Sequence, residues 1–160
     1  MIVQPKETAQ ASKTLLYENI TSMFSRLTGP CRQRSVWVFS NTCIPALLEL
    51  SVAIALGGQH VPVLQESNGE FRLLTRPCFF SEKLAEIGSV GDCLLVDPSQ
   101  YIIGLRKEVA IDTSRHAYFS SDEIAFRAIL RVDGMPGWNS VVTPRNGTTT
   151  LSWACALAER

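Results

Sequence analysis

The side chains best suited to chemistry in this 160-residue chain are five cysteines, two histidines and a few carboxylates beside serines. Cys31, Cys43, Cys78, Cys93 and Cys155 are an odd set, and no two stand at the C-x-x-C spacing of a zinc knuckle or a redox pair. His60 and His116 are far apart in sequence, and neither has a second metal-type ligand at a usable spacing, so a zinc or iron site has little support. A cysteine nucleophile would need one histidine folded against a thiol and a third group to orient it. Cys43, Cys78 and Cys93 instead sit inside apolar runs, where a free thiol behaves as a small buried hydrophobe. That reading implies a reducing compartment.

The acidic candidates fare no better. Asp97-Pro98-Ser99 sets a carboxylate beside a hydroxyl, but Asp and Pro in this order make a turn. Asp122 and Glu123 are neighbours on an extended segment and point to opposite faces, so they cannot share a proton. Gly57-Gly58 closes a helical pattern where a phosphate-binding loop would open one, and no Lys-Ser or Lys-Thr follows. Gly88-Ser89-Val90-Gly91 lacks the G-x-S-x-G nucleophile elbow. No catalytic, cofactor-binding or metal-ligating residue is assigned, and the chain reads as a non-enzyme.

Composition sets the outer limits. Fifteen basic residues balance fifteen acidic ones, so the sustained cationic field of a nucleic-acid binder is missing. Arg26, Arg32 and Arg34 come closest to a patch, but Leu27, Gly29 and Pro30 interrupt them, which suits a solvated turn. With 46% apolar and 19% charged residues the chain reads as one globular domain with a real core. Residues 43–56 are the longest apolar stretch, contain Pro45 and Glu49, and fall short of a bilayer span. The opening MIVQPKETAQ lacks the pattern of a signal peptide. The sequons at Asn19 and Asn146 are therefore read as chance matches.

The elements that position these residues follow from periodicity. Residues 1–11 carry no apolar pattern and are expected to be a flexible tail, with residues 12–160 forming one α+β unit. Leu16, Ile20, Met23, Phe24 and Leu27 recur at helical steps, which predicts a helix capped by Ser12 or Thr14 and ended by Gly29-Pro30. Val36 to Phe39 reads as a buried strand. Ile44 to Leu56 reads as a second helix, with Asn41 or Thr42 at its cap and Pro45 in its first turn. Strands at 61–64 and 71–74 flank Ser67-Asn68-Gly69, a hairpin signal. Further short strands are expected at 76–80, 93–96, 101–105, 108–111, 141–143 and 148–153. Ser120 to Glu123 resembles a helix cap. However, Ile124, Phe126, Ala128, Leu130 and Val132 alternate with Ala125, Arg127, Ile129, Arg131 and Asp133, which predicts a long strand with both arginines on one face. Asp133-Gly134 then reads as a tight turn.

Gly91-Asp92, Ser99 to Gly104, Phe119, Ala125 to Ala128 and Arg131 to Gly134 together resemble the C-terminal signature of tailed-bacteriophage major capsid proteins. Earlier words agree: Tyr17-Glu18-Asn19-Ile20 with Met23 and Leu27, Trp37-Val38 with Asn41, Leu47-Leu48, and Arg76-Pro77. The resemblance runs over about residues 12 to 144. It implies the Hong-Kong-97-type fold, in which axial and peripheral domains tile an icosahedral shell. Residues 12–118 would be mainly axial domain, and residues 119–160 strands returning to the peripheral domain.

The resemblance also implies partners. These are other copies of the chain, as pentamers and hexamers in the full-length protein, with scaffold, portal and head-maturation protease as further ones. Neither a specific nucleic-acid sequence nor a membrane is among them. The implied location is the virion capsid, reached from the host bacterial cytoplasm. An encapsulin-like nanocompartment shell shares the fold and is one alternative; an unrelated α+β thiol hydrolase is a second.

Family members begin with an extended arm, a projecting loop and a long spine helix, and no counterpart of these precedes Ser12. The expectation is therefore an axial domain plus part of a peripheral one, a capsid-protein or prophage-derived fragment that does not close a shell alone. Some members weld subunits through a Lys–Asn isopeptide bond, with the Asn just after the aromatic at the position of Phe119. Ser120 to Glu123 contains no Asn, so no such cross-link is expected.

Overall fold

The computed structural model describes residues 1–53, 60–67, 69–138 and 140–160. The chain divides into two compact units, residues 1–99 with 138–160, and residues 100–137. The boundary expected at 118/119 instead falls in the turn of a hairpin whose two strands pair with each other.

The first unit is built on a seven-stranded sheet. Its strands are β1 (Ile2–Gln4), β2 (Val36–Ser40), β5 (Leu64–Ser67), β6 (Glu70–Leu73), β7 (Arg76–Ser81), β8 (Cys93–Val96) and β11 (Ala154–Leu157), in the order β1-β11-β8-β2-β7-β6-β5. The β1–β11 and β2–β7 pairs are parallel and the others antiparallel. β3 (Ser51–Ala53) and β4 (His60–Pro62) form a separate antiparallel pair. Alternation along β2 puts Trp37 and Phe39 on one face, where their rings stack at 5.6 Å. Phe80 continues the stack from Phe39, and Phe71 meets Phe80 edge-on. The buried Trp37 indole donates to Leu73 O at 3.1 Å, so its one polar atom is satisfied.

Helix α1 (Tyr17–Ser25) lays Ile20 and Met23 on this core, both fully buried. It starts later than expected. Its cap is Leu16, whose N–H donates to Asn19 Oδ1 at 3.0 Å, while Thr14 bonds Ala11 O instead. Gly29-Pro30 does end the first helical pattern, but it also opens a second helix, α2 (Gly29–Arg34). Proline suits a first helical turn because no intrahelical partner is needed there.

Several expected elements differ. Residues 2–4 are no tail: Ile2 is buried and β1 pairs with β11, a contact set by residues 153 positions away that local periodicity cannot report. Helix α3 (Ile44–Glu49) stops early, and Leu50 turns extended into β3. An apolar run of this kind fits helix or strand equally, and pairing with β4 decides it. The remainder of that expected helix, with Gly57-Gly58, and Asn68 of the expected hairpin turn lie outside the described residues. β5 and β6 do flank that turn, and Gly69 holds φ +79°. At the end of the chain the expected strands reduce to single bridges at Val142–Leu151 and Leu27–Ser152, and the last sheet strand is β11.

The second unit is one ribbon. β9 (Tyr101–Tyr118) and β10 (Glu123–Pro136) pair antiparallel around a turn at Phe119–Ser121, with Asp122 left-handed at φ 54°. The two short strands expected at 101–105 and 108–111 are one. Asp133-Gly134 is no turn, since Asp133 and Gly134 pair in register with Gly104 and Ile103. Three register shifts place extra residues on β9, which is why 18 residues run opposite 14.

Candidate functional site: buried polar centres and an exposed ribbon face

In the first unit the polar side chains build structure. The side chains of Asp92 and Arg160 are both fully buried. Arg160 donates from Nη1 to Asp92 Oδ1 at 3.2 Å and from Nη2 to Oδ2 at 2.7 Å, a bidentate fork. Gly88 N–H adds a bond to Oδ2 at 2.9 Å, and Arg160 Nε donates to Thr14 O. The backbone of Asp92 accepts from Ser40 N–H at 2.8 Å. Asp92 and Arg160 together thus tie the loop before β8 to the end of β2 and to the lead-in to α1. Gly88 is needed there: a Cβ would stand 3.0 Å from Arg160 O, and its φ is +99°.

Gln10 and Asn19 form a second centre. Their amides bond reciprocally, Gln10 Nε2 to Asn19 Oδ1 at 2.7 Å and Asn19 Nδ2 to Gln10 Oε1 at 3.1 Å. A third surrounds Asp97, whose side chain is fully buried. Its Oδ1 accepts from Ser99 N and Oγ, and Oδ2 accepts from Arg34 Nη2 at 3.1 Å. Burial pushes the Asp97 carboxyl up, but hydrogen bonds from Ser99, Arg34 and Cys31 outweigh it and hold the group below its ordinary value. Asp97-Pro98-Ser99 is therefore a turn with a satisfied carboxylate.

The arginines read as an interrupted patch are also engaged locally. Arg26 donates to Gln4 Oε1 and Thr150 O, Arg32 donates to Leu27 O and covers the Phe24 ring, and Arg34 pairs with Asp97.

All five cysteines are free and buried. Burial raises every one of their pKa values: Cys43 and Cys155 to about 11, Cys78 to about 12, Cys93 well above the ordinary thiol, and Cys31 less. Cys93 Sγ lies 3.7 Å from Met23 Sδ and Cys43 Sγ 3.8 Å from Asp92 O, the contacts of core side chains. A nucleophile needs an accessible thiolate, and these thiols are protonated and covered. His60 Nδ1 meets Ser51 Oγ at 3.3 Å on the surface. Among the described residues no three metal-ligating side chains converge, and no helix is long and apolar enough to cross a membrane.

The ribbon presents a different surface. Residues directly opposite in its register share a face. One face carries Arg127 opposite Asp112, an ion pair at 2.9 Å, and Arg131 opposite Lys107. The Arg127 hydrogen bond and charge lower the exposed Asp112 carboxyl. The other face carries Phe126 opposite Thr113, Ala128 opposite Ile111, Val132 opposite Leu105 and Gly134 opposite Ile103. Both arginines and the bulky residues separate as the period-two pattern predicts. The apolar face is uncovered: Phe126 is 73% exposed, Ile111 69% and Ile103 65%. The sequence marks this alternation, but periodicity alone does not say whether the apolar face is covered. Arg160 and the Gln10–Asn19 pair gave no local signal, because each is defined by a partner distant in sequence.

The Phage capsid family matches residues 2–140 of the chain. Two solved structures share the fold. The capsid of a native GTA particle, computed with C5 symmetry, has a TM-score of 0.64 at 14% identity, over 97% of this chain and 48% of that one. The capsid of an empty GTA particle, also with C5 symmetry, has a TM-score of 0.60 at 14% identity, over 88% and 43%. The chain thus spans less than half the length of the capsid chains it matches. No curated protein matches it.

Proposed function

The chain belongs to the phage capsid family, and from that premise we propose that it is a structural subunit that self-associates within an icosahedral phage head. The observation that carries this reading is the ribbon of residues 101–136, whose apolar face stands in solvent. Contiguous exposed apolar surface of this kind marks an interaction site. The alternative chemistry lacks a foothold, because the thiols are buried and the carboxylates are held in structural hydrogen bonds.

In this reading the first unit corresponds to the axial domain and the ribbon to the strand pair of the peripheral domain. Near-zero net charge suits the role, since like-charge repulsion among many copies would oppose assembly. Scaffold, portal and maturation protease are the further partners this role brings, and the virion capsid its location.

The test is co-expression with a longer capsid chain of the same family, followed by electron microscopy and analysis of the purified particles. The reading expects the 160-residue chain inside regular shells in stoichiometric amounts. Shells that consistently exclude it, with no regular assembly by the chain itself, would refute the reading.

A further inference from the structure

We infer that Asn146-Gly147 is a self-modifying site, at which the glycine nitrogen converts the asparagine amide to a carboxylate with no enzyme or cofactor. The inference stands apart from the capsid reading. Glycine after asparagine offers this reaction the least resistance. It has no Cβ to shield the attacking nitrogen or to restrict the rotation that brings it to the side chain. In a folded chain the outcome then depends on how firmly the amide and the peptide nitrogen are held.

At Asn146 neither is held. The pair lies on the loop between Val142 and Leu151, whose ends are pinned. Val142 and Leu151 exchange two backbone bonds at 2.8 Å, and Arg26 Nη1 donates to Thr150 O at 3.2 Å. Residues 143–149 lie in neither helix nor strand, and among the described residues none of them makes a hydrogen bond or an ion pair. Asn146 and Gly147 are both exposed. Gly147 holds φ +109°, and a Cβ there would meet nothing within 4 Å, so no neighbour crowds its nitrogen. Asn19 is the internal contrast. Its amide is buried, bonded to Gln10 and to Leu16 N–H, and β-branched Ile20 follows it inside α1.

The step balances without an oxidant or reductant. Gly147 N attacks Asn146 Cγ and gives up its proton, which passes through water to Nδ2. The N–Cγ bond forms, the Cγ–Nδ2 bond breaks, and ammonia leaves a cyclic imide behind. Water then opens the imide at one carbonyl or the other, to aspartate or to isoaspartate. Either acid is ionised at neutral pH, so a chain with fifteen basic and fifteen acidic residues gains one net negative charge. The change is one-way and sits beside exposed Arg145, in a loop whose anchored ends need not move.

The experiment ages the purified full chain at neutral pH and physiological temperature. Isoelectric focusing should show a more acidic band that grows with time and runs with the variant N146D, while the circular dichroism spectrum stays unchanged. Asn68-Gly69 is the other Asn-Gly step in the sequence, so mass spectrometry follows the fragment of residues 141–151 by itself. That fragment should pass from amide to acid, with isoaspartate and aspartate both present, while Asn19 keeps its amide. N146Q, whose longer side chain would have to close a larger ring, should lose the conversion in this fragment. An Asn146 amide left intact under conditions that convert a free peptide of residues 141–151 would overturn the inference. Aspartate with no isoaspartate would overturn the imide route. The capsid reading is tested separately: a chain that enters shells with Asn146 intact sinks only this inference, and one that converts but never enters a shell sinks only the other.

Discussion

Arg160 grips both carboxylate oxygens of Asp92, 68 residues earlier in the chain, and neither side chain reaches solvent. Removing one partner leaves a buried, uncompensated charge, which costs about 3–5 kcal/mol. We expect D92N or R160M to lower the stability of the first unit by that order in urea titration. The double variant D92L/R160M should regain a large part of the loss, because no charge is then stranded. Additive losses would show that the ion pair is not what the two residues share.

Gln10 and Asn19 test the same logic without charge. Each amide satisfies the other in a buried site, so N19L alone should cost about 1–3 kcal/mol by stranding Gln10. Asn19 Oδ1 also caps α1 through Leu16 N–H, so Q10L should cost less than N19L. Equal losses in thermal unfolding would contradict this ranking.

Asp97 sets an acid limit. Its carboxyl titrates lower in the folded state than in the unfolded chain, where 3.8 is the reference. The stability it contributes is therefore fully present above that value and is lost as pH falls through the folded-state pKa. S99A removes the hydroxyl bond to Oδ1 and leaves the backbone one, so the folded-state pKa should move back toward the reference, and the acid loss should be smaller and complete at a higher pH in S99A than in wild type. Urea midpoints measured from neutral pH down to about pH 2 would check it. An unchanged acid profile would remove Ser99 from the account.

The thiols set the alkaline limit with the opposite sign. Their folded-state pKa values are raised from 9.0 to about 11 for Cys43 and Cys155 and about 12 for Cys78. Above pH 9 the unfolded chain ionises while the folded one does not, so stability should fall as pH rises from 9 toward 12. Thiol reagents should likewise label the native protein slowly, at a rate that follows opening. Rapid labelling of all five cysteines in the folded state would contradict their burial.

How far the residues alone foretold this arrangement depends on the range of the interactions involved. β2, β7 and β8 were legible because a short β-branched or aromatic run between turn residues has few alternatives. The alternation from Ile124 to Asp133 also overruled the cap-like Ser120, since period two fixes which side chains share a face. By contrast, β1 and β11 hold each other across almost the whole chain, and nothing local to Ile2 marks it as a strand. Leu50 to Ala53 leave the helical pattern because β4 offers a partner. The apolar ribbon face was visible as a pattern and not as a surface, because burial is decided by what packs against a strand. Gly134 shows the limit most clearly: its Asp-Gly context signals a turn, while its place in the register makes it part of a strand.

That glycine yields the last prediction. Tyr101 pairs opposite Pro136, one step diagonal from Gly134, and its ring lies over the bare Cα: a Cβ at Gly134 would stand 2.5 Å from Tyr101 Cε1. Gly134 does not have a left-handed φ, so backbone conformation is not what demands glycine here; the ring is. G134V should therefore push Tyr101 aside and loosen this end of the ribbon, costing on the order of 1 kcal/mol of local opening free energy. Y101A should cost a comparable amount by uncovering the glycine, as an aromatic over a strand glycine normally shields it. Y101A/G134V should cost less than the two together, since valine then fills the space the ring has left. Hydrogen exchange of the amides of Ile102 to Gly104 and Val132 to Met135 reads this locally, and strict additivity would mean the ring and the glycine are not a unit.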